Sequence, residues 1–166
     1  MNDAMLEDLA ARVGAVLQSK GLMLATAESC TGGWVAEAVT AISGSSAWFE
    51  RGFVTYSNAA KRSMLGVSDV TLAAHGAVSE PVAREMAAGA LAYSEAQVAL
   101  SITGVAGPTG GTPDKPVGMV CFGWAGPPGA GVRVETCRFA GDRVAVRKQA
   151  VTHSLGRLLA LLETPG

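Results

Sequence analysis

Residues 96–105 read AQVALSITGV. The run is almost entirely apolar and carries no charge. A strand with one wet face alternates polar and apolar positions; a near-continuous apolar run suits a strand covered on both faces. The stretch therefore predicts a central strand with helices above and below it, and its neighbours supply them. Before it, "SEPVAREMAAGALAYS" opens on a capping residue, Ser79, and puts Pro81 in the first turn, where a missing backbone donor matters least. Further upstream, "LMLATA" (Leu22 to Ala27) reads as a second buried strand. It follows a helix whose apolar positions Leu6, Leu9, Val13, Val16 and Leu17 recur at helical spacing, and which Gly21 stops.

The remaining segments extend this pattern. "WVAEAVTAI" reads as a helix ended by "GSS", and "AWFERGFVTYS" has the aromatic and β-branched content of one or two strands. "NAAKRSMLG" is helical and stops at Gly66, and "VSDVTLAAHG" suits a short helix. "VGMVCFGWA" and "VRVETCRFA" are strands joined by the turn "GPPGAG", a link short enough for an antiparallel pair. Asp142 caps a last helix running to about Leu162. The expected fold is α/β: one domain over residues 1–166, a three-layer α/β/α sandwich with a mixed sheet.

The chain has 166 residues, 49% hydrophobic and 16% charged, which marks a packed globular protein rather than a disordered one. A net charge of −1 lacks the basic excess of a general nucleic-acid binder. The start, "MNDAMLEDLAARVGAVL", is acidic and unlike a secretory signal, and no apolar run approaches the roughly 18 residues of a membrane span. Cys30, Cys121 and Cys137 are odd in number and widely spaced, which suits a reducing compartment. The expectation is a cytoplasmic protein with no membrane or nucleic-acid partner. Two histidines and three scattered cysteines give no ligand pair at short spacing, so no metal site is expected.

Three polar, Gly-rich segments follow apolar strands: "ESCTGG", "TYSNAAK" and "TGVAGPTGGT". Ligands of open α/β sheets bind where strands hand over to loops, so the three are expected to converge. Ser29 precedes two glycines and a helix start, a place that can hold an oxyanion or phosphate. There it is a nucleophile or, with Thr31, merely a helix cap, and the stretch taken alone favours the cap. His75 closes a short helix and His153 lies within the last one, so a Ser-His-Asp arrangement is disfavoured. Lys61 is the remaining base, provided burial keeps it neutral; spacing alone reads it as an exposed lysine. Ser57, four residues earlier, is a rival nucleophile or a cap. Cys30 is another rival, since thiols at helix starts can become reactive. Tyr56 donates to a substrate, tunes Lys61 or packs on a strand. Glu28 orients a neighbour, binds a ribose hydroxyl or accepts from backbone donors. Thr103 ends an apolar strand and points toward the expected site. Arg143 stands in the first turn of the last helix, where a cation opposes the dipole; an anionic ligand or a surface salt bridge accounts for it.

Together, "TAESCTGGW", "GSSAWFERGFVTYSNAAK", "LGV", "HGAVSE", "TGVAGPTGGTPDKPVG" and "FAGDRVAVR" resemble the C-terminal domain family of the competence/damage-inducible protein CinA, from about Leu6 to Leu162. Its stand-alone members are nicotinamide-nucleotide amidohydrolases; longer members carry an extra N-terminal domain, so the chain resembles the stand-alone form. The resemblance implies hydrolysis of the carboxamide of nicotinamide mononucleotide (NMN) to nicotinate mononucleotide and ammonia, in pyridine-nucleotide recycling toward NAD. It implies no cofactor and no metal, and a homo-oligomer, a dimer being favoured. Carried over by motif, Ser29 is the nucleophile and Lys61 the base, with Tyr56 and Thr103 also catalytic. Thr31, Gly32, Gly33, Gly104, Gly110, Gly111 and Arg143 are candidates for substrate contact. The rival expectations are a nucleotide-binding regulatory module without turnover, and a serine amidase acting on another amide.

Overall fold

The computed structural model describes residues 2–164. A five-stranded sheet in the order β2-β1-β3-β4-β5 forms its middle layer. The strands are β1 (Leu24–Glu28), β2 (Phe49–Val54), β3 (Val98–Gly104), β4 (Met119–Ala125) and β5 (Val132–Arg138). β1 pairs in parallel with both β2 and β3, whereas β3–β4 and β4–β5 are antiparallel. Six helices flank the sheet: α1 (Asp3–Ser19), α2 (Trp34–Thr40), α3 (Asn58–Leu65), α4 (Asp69–His75), α5 (Glu80–Ala92) and α6 (Arg143–Glu163). The fold is the expected three-layer α/β/α sandwich with a mixed sheet. "LMLATA" enters the sheet two residues late, at Leu24, and "AWFERGFVTYS" makes one strand, because residues Ser45–Ala47 form a 3-10 turn instead.

Burial explains the strand sequences. Every residue of β1 is buried, as are Val98 to Thr103 of β3, while the edge strands β2 and β5 are half exposed. On one face Leu24, Leu100, Ile102, Val120, Phe122 and Trp124 pack against α1, α2 and α6; on the other, Ala25, Ala27, Ala99 and Ala125 pack against α3, α4 and α5. The second face is lined with small side chains, so its helices approach closely. A Cβ at Gly89 of α5 would lie 2.0 Å from the carbonyl oxygen of Leu65, at the end of α3.

The strand directions place the site. β1, β2 and β3 are parallel, so their C-terminal ends share one edge of the sheet. Two reversals, at β4 and β5, return β5 to the direction of β3, so the N-terminus of α6 arrives at that edge too. The connection leaving β1 goes to β2 and the one leaving β3 goes to β4, in opposite directions; such a switch point opens a crevice between strand ends. Residues 29–33, 55–61, 104–111 and 143–147 all follow strands that end there.

Candidate active site

The elbow after β1 is built by glycine and by Glu28. Gly32 and Gly33 adopt positive φ of 60° and 102°, a region open to glycine at no steric cost. Gly33 is the N-cap of α2 and offers no side chain to the helix's free N–H groups. The buried carboxylate of Glu28 does so instead: it accepts from the N–H of Val35 (2.8 Å) and Ala36 (3.1 Å) and from the Thr31 hydroxyl (2.6 Å). A negative group is favoured at a helix N-terminus, which accounts for this acid inside the protein. Neither Ser29 nor Thr31 caps the helix. Thr31 is fully buried and its hydroxyl is committed to Glu28, so any substrate contact it makes is through its backbone. Of the alternatives for Glu28, the structure adopts the one with backbone donors.

Lys61 lies one turn into α3. Ser57 caps that helix by accepting from the N–H of Ala60, so the hydroxyl of this rival nucleophile is occupied. The Lys61 side chain turns inward and is 1% exposed, contrary to the exposed lysine that spacing alone suggests. Its Nζ lies 3.0 Å from Ser29 Oγ and donates to the carbonyls of Thr55 (3.0 Å) and Tyr56 (3.4 Å). No carboxylate forms an ion pair with it among the described residues. Burial therefore pushes its pKa down, opposed in part by Cys30. Without its proton, the amine keeps two N–H donors for the two carbonyls and turns a lone pair toward the Ser29 hydroxyl. Ser29 is itself buried, 8% exposed.

The N–H of Ser29 is bonded to the carbonyl of Ile102 on β3, which pins the elbow to the neighbouring strand. The N–H groups of Cys30, Thr31 and Gly33 meet no acceptor among the described residues. Cys30 itself is buried, and that burial, set against the charge of Arg147, raises its thiol pKa to about 11. At neutral pH it is a thiol rather than a thiolate, which removes the reactive form the sequence left open.

Arg143 joins the segments across the crevice. Its Nη1 donates to the Gly107 carbonyl (2.8 Å) and its Nη2 to the Tyr56 hydroxyl (3.1 Å). It forms no salt bridge among the described residues, so the surface-pair alternative does not hold. A cleft of about 480 Å³ opens beside it, walled by Ala106, Gly107, Pro108, Val117 and the start of α6. Ser29 and Lys61 are not among its walls; the link to them runs from Arg143 through Tyr56, whose carbonyl faces Lys61. Tyr56 is 62% exposed and lies beyond the end of β2, so it is not a strand-packing residue.

Other expected residues are placed differently. Thr103 lies within β3, buried, and its hydroxyl donates to the Ala77 carbonyl (2.9 Å) rather than pointing free into the crevice. Gly104 and Gly111 have packing reasons: a Cβ there would come within 2.8 Å of Val120 and 2.9 Å of the Val117 nitrogen, respectively. Gly110 is exposed at φ 91° in the loop before β4.

Sequence reasoning missed Arg147. Its guanidinium donates to the carbonyls of Cys30 (3.0 Å) and Thr31 (3.2 Å) and lies 5.4 Å over the Trp34 ring. It thereby ties α6 to the nucleophile elbow. The signal was its position four residues after Arg143, on the same helix face.

The CinA C-terminal domain matches residues 6–162. The chain belongs to the CinA C-terminal domain family. Among its relatives in that family is the nicotinamide-nucleotide amidohydrolase PncC of Escherichia coli strain K12, 56% identical over 158 residues, covering 95% of each chain. A putative competence-damage inducible protein of Symbiobacterium thermophilum is 54% identical over 156 residues, which are 90% of this chain but 37% of that protein. The crystal structure of the competence/damage inducible protein CihA from Agrobacterium tumefaciens superposes with a TM-score of 0.92 at 46% identity, covering 97% of this chain and 96% of that one. No described helix is long and apolar enough to cross a membrane.

Proposed function

We propose that the chain is a nicotinamide-nucleotide amidohydrolase that converts NMN to nicotinate mononucleotide and ammonia through a Ser29–Lys61 pair. The observation that carries this is the 3.0 Å approach of a buried, carboxylate-free lysine to a serine at a strand-to-helix elbow. Support for the substrate comes from PncC, whose name states that activity and which matches the chain nearly end to end.

The chemistry follows from the groups present. Ser29 Oγ attacks the carboxamide carbon while the neutral Lys61 amine takes its proton. The negative oxygen that forms is held by the unpartnered N–H groups of Cys30 and Thr31. Thr103 is assigned no part in this, because Ala77 occupies its hydroxyl. The protonated Lys61 returns the proton to the departing nitrogen, ammonia leaves, and an ester of Ser29 remains. A water molecule, deprotonated by Lys61, then hydrolyses the ester and releases the carboxylate product. No step draws on a cofactor. Arg143 meets the phosphate of the nucleotide, exchanging its bond to Gly107 for a charged partner, and Tyr56 orients that guanidinium. The glycines at 32, 33 and 110 let substrate approach the backbone closely.

An ammonia-release assay on NMN tests the proposal. Intact protein is expected to turn over and Ser29→Ala to be silent. Binding without turnover by the intact protein would point instead to a regulatory module, and turnover of simple amides in preference to NMN to a general serine amidase.

A further inference from the structure

A second group of reactive side chains lies away from the crevice, between β5 and α6. Glu135 and Cys137 are two apart on β5, so their side chains project from the same face of the strand. His153 comes from α6, ten residues beyond Arg143 (153 minus 143), or about 15 Å along a helix rising 1.5 Å per residue. One donor atom from each of the three lies within 4.8 Å of the others. Cys137 Sγ is 3.5 Å from His153 Nε2 and 3.7 Å from Glu135 Oε1, and His153 Nε2 also contacts Glu135 Oε1.

We propose that Glu135, Cys137 and His153 form a binding site for a borderline-soft divalent cation, zinc foremost, that fastens β5 to α6. Thiolate, imidazole and carboxylate together are a zinc donor set. Zinc–sulfur and zinc–nitrogen bonds of about 2.3 and 2.0–2.1 Å at a tetrahedral angle place the two ligands about 3.5 Å apart. The Cys137–His153 separation of 3.5 Å has that length, and the Cys137–Glu135 separation of 3.7 Å is close to it; the direct His153–Glu135 contact is closer than a tetrahedral edge, so the ion would replace that hydrogen bond and move the Glu135 carboxylate outward. The ring of His153 is held in place by Phe122, Trp124 and Phe139, with centroids at 4.8, 6.2 and 6.1 Å, so little ordering remains to be done on binding. All three ligands are partly exposed, which gives the ion a route in.

The charges also close. Binding removes the Cys137 proton to solvent and leaves His153 neutral, with its proton on Nδ1. A thiolate and a carboxylate then balance the dication. Arg157, whose Nε is 3.9 Å from Glu135 Oε2, opposes the ion but holds the carboxylate in place. A cavity of about 520 Å³ borders His153, with Thr152 and Lys148 on its wall, and water would complete the coordination as the fourth ligand. The Thr152 hydroxyl is buried without a partner among the described residues. Because α6 also carries Arg143 and Arg147, the ion would stiffen the helix that closes the crevice.

The test is titration of the metal-free chain with cobalt(II), followed by competition with zinc. One equivalent is expected to bind, with a thiolate-to-cobalt charge-transfer band and the visible absorption of a four-coordinate ion. Cys137→Ser should lose the charge-transfer band and His153→Gln should weaken zinc by at least about tenfold, while Ser29→Ala binds as the wild type does. Zinc should raise the melting temperature of the wild type and not of Cys137→Ser. Circular dichroism of each variant establishes that it folds. Absence of binding, a charge-transfer band that survives in Cys137→Ser, or unchanged zinc affinity in folded His153→Gln would each overturn the site. None of these readings depends on amidase activity.

Discussion

Replacing Lys61 with methionine removes the base and little else. The unbranched methionine stem fills the same buried channel, so the core between α3 and β1 is kept. The loss falls on the Ser29 hydroxyl, which loses its proton acceptor, and on the carbonyls of Thr55 and Tyr56. Loss of a general base commonly costs about 10² to 10⁴ in rate. At about 1.36 kcal/mol per tenfold, that is roughly 3–5 kcal/mol of transition-state stabilisation. The stability effect is smaller, because the cost of about 1–3 kcal/mol for a buried acceptor left unpaired is offset by removing an amine that burial already disfavours as a cation. The pH dependence carries the sharper information. Burial lowers the Lys61 pKa, so the active neutral amine accumulates below the usual lysine value of about 10.4. The rate should climb with pH and level off before that value. Stability moves in the same sense. Between the lowered folded pKa and the ordinary unfolded one, the unfolded chain binds more protons, so folding stability rises with pH across that window and is lowest beneath it. Lys61→Met should lack both the climb and this stability gain. The assays are ammonia release from NMN as a function of pH and denaturant unfolding of both proteins over the same range. A folded Lys61→Met within about tenfold of wild-type activity, or a wild-type profile still climbing at the ordinary lysine pKa, would refute the reasoning.

The other expectations concern neighbouring residues. Cys30→Ala should retain most activity, and Cys30 should resist alkylation at neutral pH, because its thiol pKa is pushed to about 11; rapid labelling that parallels inactivation would reverse the assignment. Arg143→Ala should weaken the nucleotide more than the corresponding nucleoside, measured as the ratio of their KM values; an equal effect on both argues against a phosphate contact. Glu28→Gln removes the charge that serves Thr31, Val35 and Ala36, and should destabilise the fold by about 1–3 kcal/mol; chemical denaturation checks this, and an unchanged midpoint counts against the capping role. Gly89→Ala forces a methyl group onto the Leu65 carbonyl and should cost about 1–3 kcal/mol or more, with a parallel loss of activity as α3 shifts.

The layers of the fold were legible because burial writes itself into hydrophobic pattern. AQVALSITGV announced a strand covered on both faces, and the Ser57, Ser79 and Asp142 caps marked helix starts within a residue. Pairing across the sheet was legible only where a short link forced it, as between β4 and β5. At the site, Ser29 and Lys61 could be nominated, but their meeting depends on the inward turn of a lysine that helical periodicity places on the surface. The partner of Thr103 was not legible, because alternation gives the face of a side chain and not what it bonds, here the Ala77 carbonyl 26 residues earlier in the chain. Arg147 showed only as a cation four residues after Arg143, and backbone capping was one of three open roles for Glu28, because both act on backbone groups, which leave no mark in residue types. The Glu135–Cys137–His153 group joins a strand to a helix, so no short ligand spacing exists to be seen.

The most direct measurement is the mass of the enzyme quenched during turnover of NMN. A covalent adduct equal to substrate minus ammonia, mapped to the peptide's Ser29 and missing from Ser29→Ala, is the predicted result. An adduct on Cys30, or steady ammonia release by Ser29→Ala at the wild-type rate, would contradict the account.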